Sequence, residues 1–289
     1  MSDEKKPSRL AERAPETIVV PERKLRLQTR RDFLLYGAGV IAAAGAFFWT
    51  LPEDTQTGLT GRTFGGARKE RFLDGAIDFD DDVAAALYSP NRLVPVYPIS
   101  RAARIIRNNY DGATPDPSSY LPDWSLTLTG LASGRKTVLR LPDVHRLVAR
   151  FGRKDQVTRL CCVEGWSQIA AWGGLRFADL LAAYAPHPDA RWASVQSSVN
   201  LDSDGNSDPY YVSIDLPTAR HPQTLLATHM NSPSLTMVPL DADHGAPLRL
   251  IAPMKLGLKN IKAITSIHYT TAQPPDYWAE RGYSKYDGL

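Results

Sequence analysis

The chain has only two cysteines, and they are neighbours, Cys161 and Cys162. Adjacent cysteines rarely form a disulfide with each other, because the bridge geometry strains the peptide between them. No Cys-x-x-Cys pair is present to bind zinc or an iron–sulfur cluster, and no Cys-x-x-Cys-His motif attaches a haem. The fold must therefore rest on a buried core, for which 289 residues, 43% of them hydrophobic, are ample. The two thiols are either inert core residues or are kept for chemistry such as metal ligation.

A leader precedes the folded region. Residues 1–31 are polar and charged and end in Arg30-Arg31, and the run 33–51 carries no charge. Paired arginines before a moderately apolar stretch predict a twin-arginine export signal, which a receptor reads and which is not part of the fold. About 19 uncharged residues at 1.5 Å each reach roughly 28 Å, close to the thickness of a bilayer core, so the leader is either cleaved or kept as an anchor. Its high Gly and Ala content favours cleavage.

The leader also carries the excess positive charge. Nine of the 34 Lys and Arg and six of the 31 Asp and Glu lie before residue 53, which leaves 25 of each and a neutral remainder. A nucleic-acid-binding body is expected to carry its own basic excess, so nucleic acid is excluded as a partner. We divide the chain into the leader 1–52, a linker or N-terminal extension 53–86, and a folded domain 87–289.

Alternating apolar and polar residues predict a β-rich α+β domain with long coil segments. Helical spacing of apolar residues predicts helices at 142–150 and 175–184. The predicted strands lie at 124–130, 137–142, 156–162, 191–198, 210–216, 247–253 and 261–269. No internal repeat is visible, which disfavours a solenoid or a propeller.

The residues around Cys162 carry the most specific motif, Arg-Leu-Cys-Cys-Val-Glu-Gly-Trp-Ser over 159–167. It resembles the metal-ligand loop of the sulfite oxidase family of molybdenum enzymes, and most nearly the branch of periplasmic methionine sulfoxide reductases. The resemblance implies a sulfite-oxidase-type molybdopterin-binding domain and a Mo-molybdopterin cofactor whose metal is bound by the Cys162 thiolate. Arg159 would help to hold the thiolate and the anionic pterin. Cys161 is expected to point the other way along its strand and to pack in the core.

A second segment, from His244 to Lys262, resembles the part of that family that grips the pterin and its phosphate. Taken alone, it reads equally well as an ordinary strand, turn and strand with solvated lysines. Arg249 can bind a phosphate through two N–H groups, and Lys262 can act as a point charge. The cofactor-binding residues implied by the resemblance are Asn108, Arg159, Ser197, His244, Arg249, Asn260, Ile261 and Lys262.

Two of those assignments rest on shorter matches. The run Arg107-Asn108-Asn109-Tyr110 resembles the family's Asn-Asn-aromatic pterin contact, but Asp111-Gly112 follow where Tyr-Glu is usual, which leaves the substrate open. Ser197 aligns with a pterin-contact threonine on a strand, where hydroxyl groups are more often structural. Other chemistries find no motif: the sequence has no His-x-x-x-His pair for zinc, and Ser167 lies in no Gly-x-Ser-x-Gly elbow.

The residues after Cys162 bear on the reaction. Sulfite oxidases follow the ligand cysteine with arginines, which suit a dianion, whereas Val163-Glu164-Gly165-Trp166 follow here. A carboxylate and an indole disfavour sulfite and suit a neutral S-oxide such as oxidised methionine. The resemblance therefore implies sulfoxide reduction, with Glu164 relaying protons and Trp166 packing over the substrate. Two alternatives stay open: a sulfite or other small-molecule oxidase that passes electrons to a cytochrome, and a metal-free exported binding protein.

The electrons must come from another protein, because the chain has no haem or flavin motif. A membrane b-type cytochrome or a soluble cytochrome is the expected partner. The twin-arginine export machinery carries proteins that are already folded, which fits a protein that takes up its cofactor before export. We expect a periplasmic location, with membrane attachment where the signal is not cleaved.

Overall fold

The computed structural model describes residues 51, 55, 75–76, 79, 81–83, 86, 93–108, 117–200 and 208–286. The predicted leader lies outside the described residues except for residue 51, and the predicted linker is described only at scattered positions. The chain divides into two compact units, Met1–Leu73 and Asp74–Leu289, and all elements named below belong to the second. In the part of the chain that the structure describes, no helix is long and apolar enough to cross a membrane. The predicted domain boundaries stay predictions.

Between residues 93 and 286, the described residues form ten strands, four short α-helices and three 3-10 turns. The strands are β1 Ser125–Thr129, β2 Thr137–Arg140, β3 Lys154–Cys161, β4 Ser167–Arg176, β5 Trp192–Asn200, β6 Pro209–Asp215, β7 Leu225–Asn231, β8 Met237–Pro239, β9 Arg249–Ile251 and β10 Ile264–Thr270. The α-helices are α1 Pro117–Tyr120, α2 Leu141–Phe151, α3 Phe177–Ala183 and α4 Leu216–Arg220. The 3-10 turns are Ile99–Arg101, Gly257–Lys259 and Ala279–Arg281. The predicted β-rich α+β class is confirmed.

The strands form two five-stranded sheets. The first has the order β2-β1-β10-β5-β6, and the second has the order β3-β4-β7-β8 with β9 paired to β7. Only β1 and β10 pair in parallel, with Leu128 opposite Ile267, and the other paired strands run antiparallel. A parallel pair needs a long connection, and here most of the domain lies between its two strands.

The domain has two hydrophobic cores, and the larger one takes side chains from both sheets, including Leu226 of β7 and Leu250 of β9. The strand β1 alternates in burial, which places Leu126 and Leu128 in the larger core against Phe177 and Leu180 of α3. The smaller core lies on the second sheet around Trp172 of β4. Burying one such side chain stabilises the fold by about 1.5–3 kcal/mol, so the larger core dominates the stability.

The predicted strands are confirmed, with ends shifted by up to two residues in most cases, but three strands were missed. These are β4, β7 and β8. The strands β4 and β7 are central in their sheet and buried on both faces, so their sequences lack the alternation that marks a half-exposed strand. The predicted helix 175–184 begins only at Phe177, because Leu175 and Arg176 complete β4.

Candidate functional site

Cys162 lies in the turn that joins β3 to β4. Its backbone N–H donates to the carbonyl of Trp166 at 2.9 Å, and the Gly165 N–H donates back to the Cys162 carbonyl at 3.2 Å. Gly165 has a φ of +84°, which a glycine adopts without steric cost. We call residues 162–166 the cysteine turn. Both cysteines are half-buried, so the expectation that Cys161 packs in the core was wrong.

The cysteine turn carries the two predicted catalytic partners of Cys162. The Trp166 indole N–H donates to Glu164 Oε2 at 2.9 Å. The guanidinium of Arg107 lies 4.6 Å from the Trp166 ring centre, and its Nη2 lies 3.9 Å from Glu164 Oε2. Arg107 therefore contacts both partners, by a cation–π interaction and by a solvent-exposed ion pair.

Arg107 is held in place through its backbone. Its N–H donates to Gln168 Oε1 at 2.8 Å, and Gln168 Nε2 donates to the Arg107 carbonyl at 3.3 Å. Gln168 belongs to β4, directly after the cysteine turn. The segment that carries Arg107 and Asn108 is thus hydrogen-bonded to β4, the strand that follows the cysteine turn.

The two sequence motifs meet at Gly257. A Cβ atom at this glycine would lie 3.2 Å from the Cys161 carbonyl oxygen and 3.5 Å from Cys162 Cα. A side chain at this position would press on the backbone of Cys161, and glycine lets the turn Gly257–Lys259 lie this close to the cysteines. The His244 to Lys262 segment therefore contacts the cysteine turn directly.

The loop that carries Gly257 is shaped by Asn260. This buried amide accepts from the Ala252 N–H at 2.7 Å and donates to the Leu256 carbonyl at 3.0 Å. The predicted cofactor residue Asn260 therefore uses its side chain to close its own loop. Ile261, also predicted, is fully buried in the larger core and contributes its carbonyl to Leu250.

Three of the predicted residues are in contact here: Asn108, Ser197 and Lys262. Its ammonium group donates to Asn108 Oδ1 and to the carbonyl of Asp243. Ser197 Oγ, on β5, donates to the Lys262 carbonyl at 2.6 Å. Burial and the nearby charge of Arg249 lower the pKa of Lys262 from 10.5 to about 7. This lysine is thus a cation held at a site that disfavours its charge.

Arg249 is a second buried cation. Its Nη atoms donate to the carbonyls of His244 and Asn260 at 2.9 and 3.1 Å, while its Nε–H has no hydrogen-bond partner among the described residues. Its guanidinium lies 4.5 Å from the ring centre of the buried Trp172. Burial lowers the pKa of Arg249 to about 10. No carboxylate of a described residue lies within ion-pair distance of Arg249 or Lys262.

His244 ties the segments around these cations together. Its Nδ1 contacts Asp241 Oδ1 at 2.6 Å, and its Nε2 lies 3.1 Å from the carbonyl of Ile106. The next residue, Gly245, has a φ of +93°, and a Cβ there would lie 2.6 Å from Lys262 Cβ. His244 therefore acts on the site by joining the segment that carries Asn108 to the turn before β9.

Arg159 does not join this group through any contact among the described residues. It is exposed on β3, and its guanidinium lies 6.0 Å from the ring centre of Tyr97. The predicted matches at Asn109-Tyr110 and the departure at Asp111-Gly112 lie outside the described residues. The structure thus brings together Asn108, Ser197, His244, Arg249, Asn260, Ile261 and Lys262, and it places the cysteine turn beside their loop.

The residues of this cluster fit an anionic, phosphate-bearing cofactor. Two largely buried cations lie close enough for one to lower the pKa of the other, and neither has a carboxylate partner among the described residues. Unpaired buried cations are costly in protein interiors, and a phosphate would satisfy them. The thiol of Cys162 lies next to their loop, and a thiolate is a ligand that suits a metal with sulfur ligands.

A sequence model for the oxidoreductase molybdopterin binding domain matches residues 112–278, more than half of the chain. This chain belongs to that family. It is a molybdopterin-binding oxidoreductase whose cofactor is Mo-molybdopterin, and the predicted family, enzyme class and cofactor are confirmed.

Relatives with assigned names span several bacteria. A protein of Azospira oryzae named as a protein-methionine-sulfoxide reductase subunit, YedZ1, is 35% identical over 211 residues, which are 73% of each chain. The protein-methionine-sulfoxide reductase catalytic subunit MsrP of Gluconobacter oxydans is 34% identical over 176 residues, 58% of this chain and 54% of its own. The MsrP of Xanthomonas campestris pv. campestris is 30% identical over 172 residues, 57% of this chain and 51% of its own. The chain spans about half the length of these MsrP relatives.

Among solved structures, the sulfane dehydrogenase SoxCD of Paracoccus pantotrophus superposes with a TM-score of 0.44 at 18% identity, over 53% of this chain and 39% of its own.

Several residues of this candidate site were missed by sequence reasoning. Arg107, Gln168 and Trp172 each act through a contact to a distant segment. Trp172 and Gln168 lie on β4, the strand whose buried sequence showed no alternation. Arg107 stood beside a predicted residue, and a basic side chain next to a cofactor motif was the only signal that could have found it.

Proposed function

We propose that this oxidoreductase reduces S-oxides of the methionine sulfoxide type. The relatives named as methionine sulfoxide reductases, at 30–35% identity, support this substrate class. The overall reaction would convert a sulfoxide, two electrons and two protons to a thioether and water. The carboxylate of Glu164 in the cysteine turn supports a neutral substrate over an anionic one, because it would repel sulfite.

The observation that carries the proposal is the contact of Gly257 with the backbone of Cys161 and Cys162. It places the Cys162 thiol beside the loop that leads to Arg249 and Lys262, two buried cations with no carboxylate partner among the described residues. We propose that the Cys162 thiolate binds the molybdenum and that Arg249 and Lys262 hold the phosphate of the pterin. When bound, the cofactor supplies the oxygen-atom transfer and the two-electron redox change.

The chain's own residues would then orient the substrate and move its protons. Trp166 is fixed by its hydrogen bond to Glu164 and by the guanidinium of Arg107, so its ring can pack against a thioether or sulfoxide group. Glu164 is exposed, which allows it to exchange protons with solvent, and we propose that it relays them to the departing oxygen. An unchanged rate and pH profile in Glu164→Gln would remove this role.

We also propose that the enzyme is exported through the twin-arginine pathway and works in the periplasm, with electrons from a membrane b-type or soluble cytochrome. The motif at Arg30-Arg31 supports the route. Fractionation of cells that produce the chain with Arg30→Lys and Arg31→Lys would test it. Periplasmic activity that survives the double substitution would contradict the route.

The central test compares wild type with Cys162→Ser and with the matched control Cys161→Ser, all produced in a host that assembles molybdopterin. We expect about one molybdenum per chain in wild type and in the control, and loss of metal or of activity in Cys162→Ser alone. Sulfoxide reduction and sulfite oxidation are then measured on the same samples. Equal effects of the two substitutions would contradict Cys162 as the ligand, and activity towards sulfite alone would contradict the substrate class.

A further inference from the structure

A basic and apolar segment lies against the second sheet and leads to the cysteine turn. We call residues 93–107 the arginine strap. The strap contains Arg101, Arg104 and Arg107 and no Asp or Glu. The body of the chain after the leader is neutral, so this absence of acidic residues is a local asymmetry of charge.

The strap is held to the sheet by hydrogen bonds at several points. The Tyr97 N–H donates to the Val157 carbonyl at 2.9 Å, and the Ala103 N–H donates to the Ile169 carbonyl at 2.8 Å. Further along, Arg107 is tied to Gln168. The strap therefore has a fixed course, and its outward side chains are held where they are.

Apolar side chains of the strap point outward. Ile105 is 83% exposed, Val96 61% and Leu93 59%, and Val163 of the cysteine turn is 41% exposed. A single exposed apolar residue needs no explanation, but several on one ordered segment beside a reactive turn are typical of an interaction surface.

Three cations of this surface, Arg101, Arg104 and Arg159, have no acidic partner among the described residues. Arg101 and Arg159 both lie near the ring of Tyr97, at 5.1 and 6.0 Å. Arg104 donates to the carbonyl of Pro233 at 2.9 Å. Among the described residues, no carboxylate lies within ion-pair distance of these three arginines. Like charges so placed repel each other, and an acidic partner would relieve that repulsion.

We propose that the arginine strap, Arg159 and the cysteine turn form the docking surface for the electron-donating protein, which presents carboxylates around an apolar centre. This inference rests on the proposed function, because it assigns a binding surface to the electron donor that the proposed reaction requires. The surface fits the task, since Arg107 connects the strap to Trp166 of the cysteine turn, and a donor bound there would lie beside the candidate metal ligand. Opposite charges on the two proteins would steer their encounter.

The test uses the holoenzyme and two matched double variants. Arg101→Glu with Arg104→Glu reverses two charges of the strap. Arg135→Glu with Lys136→Glu makes the same change of net charge at exposed positions between β1 and β2, away from the strap. The probe is the reduced soluble haem domain of cytochrome b5, an acidic electron donor. Its binding is measured by calorimetry at low and high salt, and its oxidation is measured with methionine sulfoxide present.

We expect the strap variant to bind the cytochrome and to accept its electrons about tenfold more weakly than wild type, with a flatter salt dependence, and the control to stay within about twofold of wild type. Reduced methyl viologen, a small donor that needs no docking, should drive the strap variant no more slowly than wild type. Ile105→Ser should weaken cytochrome binding without changing any charge.

Equal losses in the two double variants, an unchanged strap variant, or no cytochrome binding by wild type at low salt would each overturn the proposal. Vesicles of phosphatidylglycerol separate a lipid surface from a protein partner: vesicle binding that depends on the strap, without a strap effect on the cytochrome, would also overturn it. Failure of the proposed function is distinguishable, because wild type would then show no viologen-driven sulfoxide reduction while cytochrome binding is scored independently of turnover.

Discussion

Lys259 and Lys262 lie three residues apart at the end of one loop, yet the fold treats their charges differently. Lys259 is 1% exposed, and its ammonium donates to Asp276 Oδ2 at 2.6 Å and to the carbonyl of Lys285 at 2.8 Å. Lys262 donates to the side-chain oxygen of Asn108 and to the backbone carbonyl of Asp243. The charged group with the largest effect on its pKa is another cation, Arg249.

The difference separates a structural cation, Lys259, from a proposed binding cation, Lys262. Asp276 neutralises Lys259 and also accepts from the N–H of Ser213, which fastens the loop to the C-terminal part of the domain. Lys262 and Arg249 lack such a carboxylate among the described residues, so their charges are available to a phosphate. The ion pair of Lys259 with Asp276 therefore holds in position the loop that carries Lys262.

The largest effect is expected from breaking the paired cation. Lys259→Met keeps the volume of the side chain but leaves the carboxylate of Asp276, 3% exposed, without its counter-charge. Removing one partner of a buried ion pair costs about 3–5 kcal/mol, which urea unfolding of the cofactor-free protein would measure.

The matched substitution Lys262→Met should not lower that stability, because it removes a charge from a site that disfavours it. The same variant should fail to retain the cofactor. Similar losses of stability in both variants would contradict the division into structural and binding cations.

A smaller effect is expected from pH. Below a pH of about 7, Lys262 is charged in both the folded and the unfolded protein, and the cost of its burial is fully present. Between about pH 7 and 10 only the unfolded protein keeps this proton, so the stability of the cofactor-free protein should rise with pH, by a few kcal/mol in total. Unfolding curves of wild type and Lys262→Met across this range would isolate the contribution, and parallel curves would contradict it. Cofactor-loaded protein should lose this rise, because a phosphate keeps Lys262 charged.

The smallest effect is expected from a simple anion. Pyrophosphate that binds at Arg249 and Lys262 at ten times its Kd should stabilise the cofactor-free protein by about 1.4 kcal/mol, or a few degrees in Tm. Thermal unfolding at constant ionic strength would measure the shift. A shift of the same size in Lys262→Met would place the anion elsewhere.

Much of the second sheet could not be predicted because its central strands carry no local pattern. The half-exposed strand β1 can be predicted from its alternating apolar and polar residues, whereas β4 and β7 are buried on both faces and lack this alternation. Because β4 was not predicted, Gln168 and Trp172 were not identified either. Gln168 binds the backbone of Arg107, and the ring of Trp172 stacks against the guanidinium of Arg249. The site residues that were predicted belong to short motifs, while those that were missed act through contacts to distant parts of the chain.

The sequence by itself determined the family and predicted the candidate cofactor residues, because short motifs such as Cys162 with its turn keep the identity and order of the groups that carry the chemistry. Only the tertiary structure decided how the charges are distributed. Lys259 and Lys262 look alike in sequence, and their difference depends on whether a carboxylate from another segment reaches them. Asp276 lies 17 residues from Lys259 along the chain, and Trp166 lies 59 residues from the arginine stacked on it, so no local pattern records either contact. Charge pairing is a property of distances in space, which folding sets.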